Sequence, residues 1–331
     1  MTPVRRLAAT AAVLAAAVAV AVGCGGNSAN RVTLVAFSTP QEAYQELIPA
    51  FQKTQAGRGI SFTQSYGASG DQARAVEAGL PADVAAFAIQ SDMTKLVEAG
   101  EVAASWDKGK AGGIVTTSVV AFTVRKGNPK NIKAWDDLVK PGVEVIHPNP
   151  FSSGGARWNI MAAYGAQLRQ GKSPEEGLAF LKQEFENVPV QDKSARDALQ
   201  TFIGGKGDVL VSYENEAIIA QQKGEDVDYV VPPETILIQN PIAVTTDGKN
   251  PKGAQAFVDF LFTPEAQEIF ASKGYRSVDK SVLDEKKFPA PPTLFTIDEL
   301  GGWEKITGEF FDPDKGKFAV IERELGVSTA K

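Results

Sequence analysis

Apolar and polar positions along this chain repeat with two different periods. Runs of alternating or wholly apolar, β-like residues recur at 31–37, 61–64, 84–88, 115–124, 143–146, 209–213, 229–231 and 236–244. Between many of them the apolar residues take a helical spacing, as at 91–99, 175–184 and 251–262. Strands alternating with helices predict an α/β architecture with mostly parallel sheets. After the first strand, Thr39-Pro40-Gln41-Glu42 reads as a capping signal with proline at the first helical position. The chain contains no internal repeat. Two extended apolar runs, 117–124 and 236–244, divide it where crossings between two lobes would fall.

An earlier apolar run, 7–22, has a different character. It follows Arg5 and Arg6, is rich in alanine, and ends at Gly23-Cys24-Gly25-Gly26. It is short for a membrane span and closes on small residues, which is the form of an export signal. Cys24 is the single cysteine, so no internal disulfide can form. Its position predicts a lipoprotein signal. Residues 1–23 would be removed as a signal peptide, Cys24 would be acylated, and 24–30 would form a Gly/Asn/Ser-rich linker. The expected location is the cell envelope, anchored to the outer face of the cytoplasmic membrane.

The remaining chain, about 300 residues, is long enough for two lobes rather than one core. Its composition, 43% hydrophobic and 22% charged, is that of an ordinary globular protein. A net charge of −6 excludes a basic nucleic-acid footprint. The same charge would mildly repel an anion, so any anion selectivity must be local.

Local chemistry of that kind is written at three helix starts. Ser152-Ser153-Gly154-Gly155 precedes the helix-like stretch Ala156-Arg157-Trp158-Asn159-Ile160-Met161. Gly67-Ala68-Ser69-Gly70 precedes Asp71-Gln72-Ala73-Arg74, and Ser194 stands three residues before Asp197, the spacing of a capping pair. A helix start carries backbone N–H groups without intrahelical partners and the positive end of the macrodipole. Small residues there let an anion approach the backbone.

These landmarks carry a resemblance. The chain resembles the periplasmic sulfate-binding proteins of ABC transporters over nearly its whole mature length. The matching segments run in order: Gln64-Ser65-Tyr66-Gly67-Ala68-Ser69-Gly70-Asp71-Gln72, Val124-Arg125-Lys126-Gly127-Asn128-Pro129, Pro141-Gly142-Val143, Pro148-Asn149-Pro150 leading into Ser152-Ser153-Gly154-Gly155-Ala156-Arg157-Trp158, Glu214-Asn215-Glu216-Ala217, and Gly301-Gly302-Trp303. The resemblance implies a two-lobe binding-protein fold of type II, with two crossover strands as its hinge. Lobe I would comprise 31–119 and 241–331, and lobe II 120–240. It also implies a monomer that captures sulfate and delivers it to the permease and ATPase of an ABC importer, without a cofactor.

By the same resemblance, Ser69, Gly154, Gly155 and Ala195 supply backbone N–H groups to the ion, and Ser153 supplies its hydroxyl. The family's remaining side-chain donor is a tryptophan; here that position is Tyr213, whose O–H can donate or accept. After the first strand, Ser38-Thr39-Pro40-Gln41 replaces an Asp-Pro-Thr-Arg-like segment and offers Ser38 as an extra donor. Thiosulfate, molybdate and tungstate stay open as ligands. Arg157 and Arg196 follow ligand positions and are read as remote charge balance or as ion-pair partners.

A fully ionised sulfate has four acceptor oxygens and no proton to give, so its site should offer donors only. A lining carboxylate would repel it. An enzyme is the rival class: His147, the one histidine, lies six residues before Ser153, but no Gly-x-Ser-x-Gly elbow is present. One histidine and a Cys24 placed for anchoring also argue against a transition-metal site. Asp312-Pro313-Asp314-Lys315-Gly316 lacks the ligand set of a calcium loop.

Overall fold

The structure, a computed structural model, describes residues 30–329. The proposed signal peptide, Cys24 and most of the linker lie outside the described residues. The first lobe begins with β1 (Arg31–Phe37), α1 (Gln41–Lys53), β2 (Ser61–Gly67), α2 (Ser69–Glu77), β3 (Val84–Ala86) and α3 (Gln90–Glu98). A long strand, β4 (Ile114–Arg125), leads into the second. There follow β5 (Val145–Pro148), α4 (Gly154–Arg169), α5 (Pro174–Glu186), β6 (Val190–Asp192), α6 (Ala195–Ile203), β7 (Val209–Tyr213), α7 (Glu214–Gln222) and β8 (Val227–Val230). The chain returns along β9 (Glu234–Val244) to α8 (Pro251–Leu261) and α9 (Pro264–Ser272), and ends with β10 (Thr293–Phe295), α10 (Gly302–Phe311) and α11 (Lys317–Glu324).

Strand order is β2-β1-β3-β9-β4-β7-β5-β6. The two long strands join two half-sheets, as the apolar runs predict. β4 pairs antiparallel with β9 through residues 114–119 and with β7 through 120–124. β9 in turn pairs with β3 through 242–244. Within each lobe the central strands are parallel: β1 with β2 and β3, and β5 with β6 and β7.

The period-2 pattern explains the cores. Val32, Leu34 and Ala36 of β1 face one way, onto Tyr44, Leu47, Phe51 and Phe257. Val35 faces the other way, onto Val76, Phe87, Met93 and Leu96. In lobe II, Val209 and Val211 face α4 while Leu210 packs with Leu199 and Phe202. α4 is buried along its length from Gly154 to Gln167. A helix buried all round must be covered on its far side.

That cover corrects one boundary. The sequence assigns all of 241–331 to lobe I, yet β10, α10 and α11 pack on the lobe II core. Phe310 meets Tyr164 edge-on at 4.9 Å, Phe318 meets Phe185 at 4.7 Å, and Trp303 meets Trp158 at 4.6 Å. β10 pairs parallel with the first residues of β9. The cause is the apolar outer face of α4 and α5, which 120–240 alone leaves uncovered. A second correction concerns α1. It starts at Gln41 with Pro40 as the N-cap and no side-chain cap bond, so Thr39 does not cap it.

Candidate functional site: a neutral cavity between the lobes

Several loops and helix starts meet at the carboxyl ends of the parallel strands, where open α/β sheets place ligands. They close on a narrow cavity of about 10 Å³ lined by Ser38, Thr39, Ala68, Ser69, Ser153, Gly155 and Ala195, with Phe37, Gly67, Ala88 and Ser194 completing the wall. No lining residue is ionisable. A wider groove beside Trp106, Val258 and Phe262 on lobe I holds none of the expected residues.

Capping chemistry decides what each wall can offer. Ser69, the first residue of α2, donates its hydroxyl to Asp92 Oδ2 at 2.7 Å and accepts from the Ala88 N–H at 2.9 Å. Its side chain is therefore committed, and the group that a helix start leaves over is its backbone N–H. Ser194 caps α6, accepting from Asp197 N–H at 3.1 Å and donating to Asp197 Oδ2 at 2.8 Å. Ala195 is then the first residue of α6, where a backbone N–H has no intrahelical partner. Ser153 behaves differently. As N-cap of α4 its Oγ accepts from the Ala156 N–H at 3.3 Å, which leaves its proton to donate.

The structure brings Ser38, Ser69, Ser153, Gly155 and Ala195 around one cavity. Gly154 and Tyr213 do not line it. Gly154 instead faces lobe I, where an added β-carbon would stand 3.0–3.2 Å from Ala88, Ile89 and Ser69. Tyr213 is fully buried, with its ring edge 3.4 Å from where a β-carbon on Gly155 would be. Its hydroxyl lies beside the Asn240 side chain without a well-formed hydrogen bond. Burial pushes that hydroxyl far above the ordinary tyrosine range, against the opposing influence of Asn240, so it stays protonated. Thr39, Gly67 and Ala68 were missed as wall residues. The signal was present in the Ser38-Thr39 pair closing the first strand, but the capping motif drew Thr39 into the helix.

The lobes are in contact around the cavity. Gly70 N–H donates to the Ser152 carbonyl at 2.9 Å and Trp158 Nε1 to the Ala88 carbonyl at 2.8 Å. Lys193 pairs with Asp71 at 2.8 Å. Arg196 joins the lobes most heavily, binding both oxygens of Glu42 from lobe I and both of the buried Glu216 from lobe II. Burial alone would push the Glu42 carboxyl up, but hydrogen bonds from Arg196 and Lys223 outweigh it and hold the group at about 2. Glu216 is shifted up by its burial, only partly offset by Arg196.

Arg157 is also buried, donating Nε to the Pro150 carbonyl at 2.8 Å with its guanidinium 5.0 Å over the Phe311 ring. Burial lowers its affinity for the proton, and the Asp92 charge opposes that. It does not line the cavity. His147 is buried against Glu184 at 3.0 Å and is not a wall residue either.

A two-lobed sheet with donor-bearing helix starts at its cleft defines the solute-binding class of protein. Comparisons agree: residues 32–276 match the model of the bacterial extracellular solute-binding protein family. The chain belongs to that family, among its sulfate-binding members. A sulfate-binding protein of Synechococcus elongatus is 43% identical over 336 residues, covering 96% of each chain. One of Escherichia coli is 40% identical over 292 residues, 84% of this chain and 88% of that one. Among solved structures, the sulfate-binding protein SubI from Mycobacterium tuberculosis H37Rv is similar with a TM-score of 0.83 and 44% identity, over 86% of this chain and all of that one.

Proposed function

We propose that this protein is an exported binding protein that captures sulfate between its lobes and delivers it to the permease and ATPase of an ABC importer. The observation that carries the reading is the cavity wall: hydroxyls and helix-start N–H groups, with no carboxylate and no cation. An ion that bears two charges and no proton is served by donors alone. Each hydrogen bond to a charged group is worth about 1.5–3 kcal/mol net, and micromolar affinity needs about 8 kcal/mol. A handful of fixed donors therefore suffices without a salt bridge.

In this reading Ser69 binds through its N–H from lobe I. Ser153 binds through its hydroxyl, and Gly154, Gly155 and Ala195 through N–H groups, from lobe II. Tyr213 and Ser38 are additional donors, Tyr213 reaching the ion only after its hydroxyl turns away from Asn240. Because the donor set is complete only when the lobes meet, the ion favours the closed state, and the importer reads that state. Lobe I then spans about 31–119 and 241–292, and lobe II about 120–240 with the C-terminal cover. Acylation of Cys24 would tether a monomer to the outer face of the membrane.

Calorimetric titration of sulfate, with phosphate, thiosulfate and molybdate as competitors, tests the proposal. Tight sulfate binding that phosphate does not disturb is the expected result. Strong binding of another oxyanion without sulfate would replace the ligand, and silence toward all four would end the oxyanion reading.

A further inference from the structure

Two glycines meet the opposite lobe with bare backbone. Gly70 follows Ser69 in α2, and its N–H donates to the Ser152 carbonyl across the cleft at 2.9 Å. A β-carbon on Gly70 would stand 2.9 Å from that same oxygen. Gly154 mirrors it from lobe II, its nearest neighbours all belonging to lobe I. Both lie inside α-helices and neither has a positive φ, so backbone freedom does not explain them.

We infer that Gly70 is a positioning residue for lobe closure: its missing β-carbon is what lets Ser69 and Ser153 close on one ion. The inference rests on the capture reading above. The Ser152 carbonyl has little room to yield. Asn149 holds its loop through the N–H groups of Phe151 at 2.8 Å and Ser153 at 2.8 Å, and Ser152 Oγ donates to the Lys193 carbonyl at 2.7 Å. An added methyl therefore moves the lobes apart rather than the loop aside. Ser69 and Ser153 flank the contact, so a gap of a few tenths of an ångström lengthens donor distances from both walls.

Inside its own lobe the nearest side-chain atom to the added carbon belongs to the Arg74 guanidinium, at 3.4 Å, which can swing away. Alanine is also a better helix former than glycine. The substitution thus acts with opposite signs on the open fold and on the closed complex. A residue needed only for folding would lower both.

The experiment compares wild type, Gly70→Ala and the control Gly308→Ala, whose added carbon meets nothing within 4 Å. Sulfate titration, stopped-flow release, small-angle scattering and melting of the ligand-free protein are measured for each. Gly70→Ala should bind sulfate about tenfold more weakly, a loss of about 1.4 kcal/mol, through faster release. It should compact less at saturation while melting at or above the wild-type temperature. Gly308→Ala should bind as wild type does. Wild-type affinity in Gly70→Ala, or a joint fall of affinity and melting temperature, overturns the inference. A wild-type protein that ignores sulfate overturns the capture reading instead. Closure is then read from cysteines placed by Asp71→Cys and Lys193→Cys, whose crosslinking Gly70→Ala must slow; an unchanged rate overturns the inference on its own terms.

Discussion

Two polar regions lie side by side between the lobes and are built on opposite rules. The cavity wall is neutral and presents fixed donors from helix starts. A few residues away, Arg196, Glu42, Glu216 and Lys223 form a dense network in which each charge meets an opposite one. A cavity meant to receive an anion gains from leaving its donors unpaired. A permanent contact must satisfy every buried charge, since an isolated one costs several kcal/mol. Ala195 and Arg196 are neighbours in sequence yet serve the two regions separately, one through its backbone and the other through its side chain.

Exchanging the rules should show the difference. The largest effect is expected from a charge placed beside the neutral cavity, where the lobes meet. Gly154→Asp puts a carboxylate at the start of α4, against Ser69, and should weaken sulfate binding by roughly a thousandfold or more, about 4 kcal/mol. Intact binding in calorimetry would remove the core of the donor-only reading. Removing a charge from the network comes next. Arg196→Met leaves Glu216, which is wholly buried, without its cation, and should cost about 3 kcal/mol in denaturant unfolding at neutral pH. Subtracting one neutral donor is milder. Ser153→Ala should cost about 2 kcal/mol of sulfate affinity, roughly thirtyfold. An Arg196→Met protein as stable as wild type would mean that the network is incidental and the contrast false.

Much of this was legible along the chain. The pattern of strands and helices, the two crossing strands and the starts of α4 and α6 follow from local signals that need no tertiary partner. Ser194 and Asp197 cap one another across three residues, and Ser153 caps its own helix. The wall residues Ser69, Ser153, Gly155 and Ala195 were recoverable because small residues at helix starts leave a visible trace, while Ser38 was offered only through the family resemblance. Thr39 was not, since the same four letters read equally well as a cap. Tyr213 shows the opposite limit. Its place before Glu214 marks it, but whether its hydroxyl faces the ion or Asn240 depends on a side-chain rotation between elements far apart in the chain.

The C-terminal cover is the plainest case of what sequence leaves open. Phe310, Phe311 and Phe318 announce amphipathic helices, but their periodicity does not name the surface that receives them. That surface is the outer face of α4 and α5, more than 120 residues earlier in the chain. Sequence alone determined the alternation of elements, the helix starts and their donors, because caps, turns and periods act over a few residues. Tertiary structure alone decided which lobe the C-terminus covers, which N–H groups share a cavity and where bare glycines touch, because those depend on contacts between distant segments.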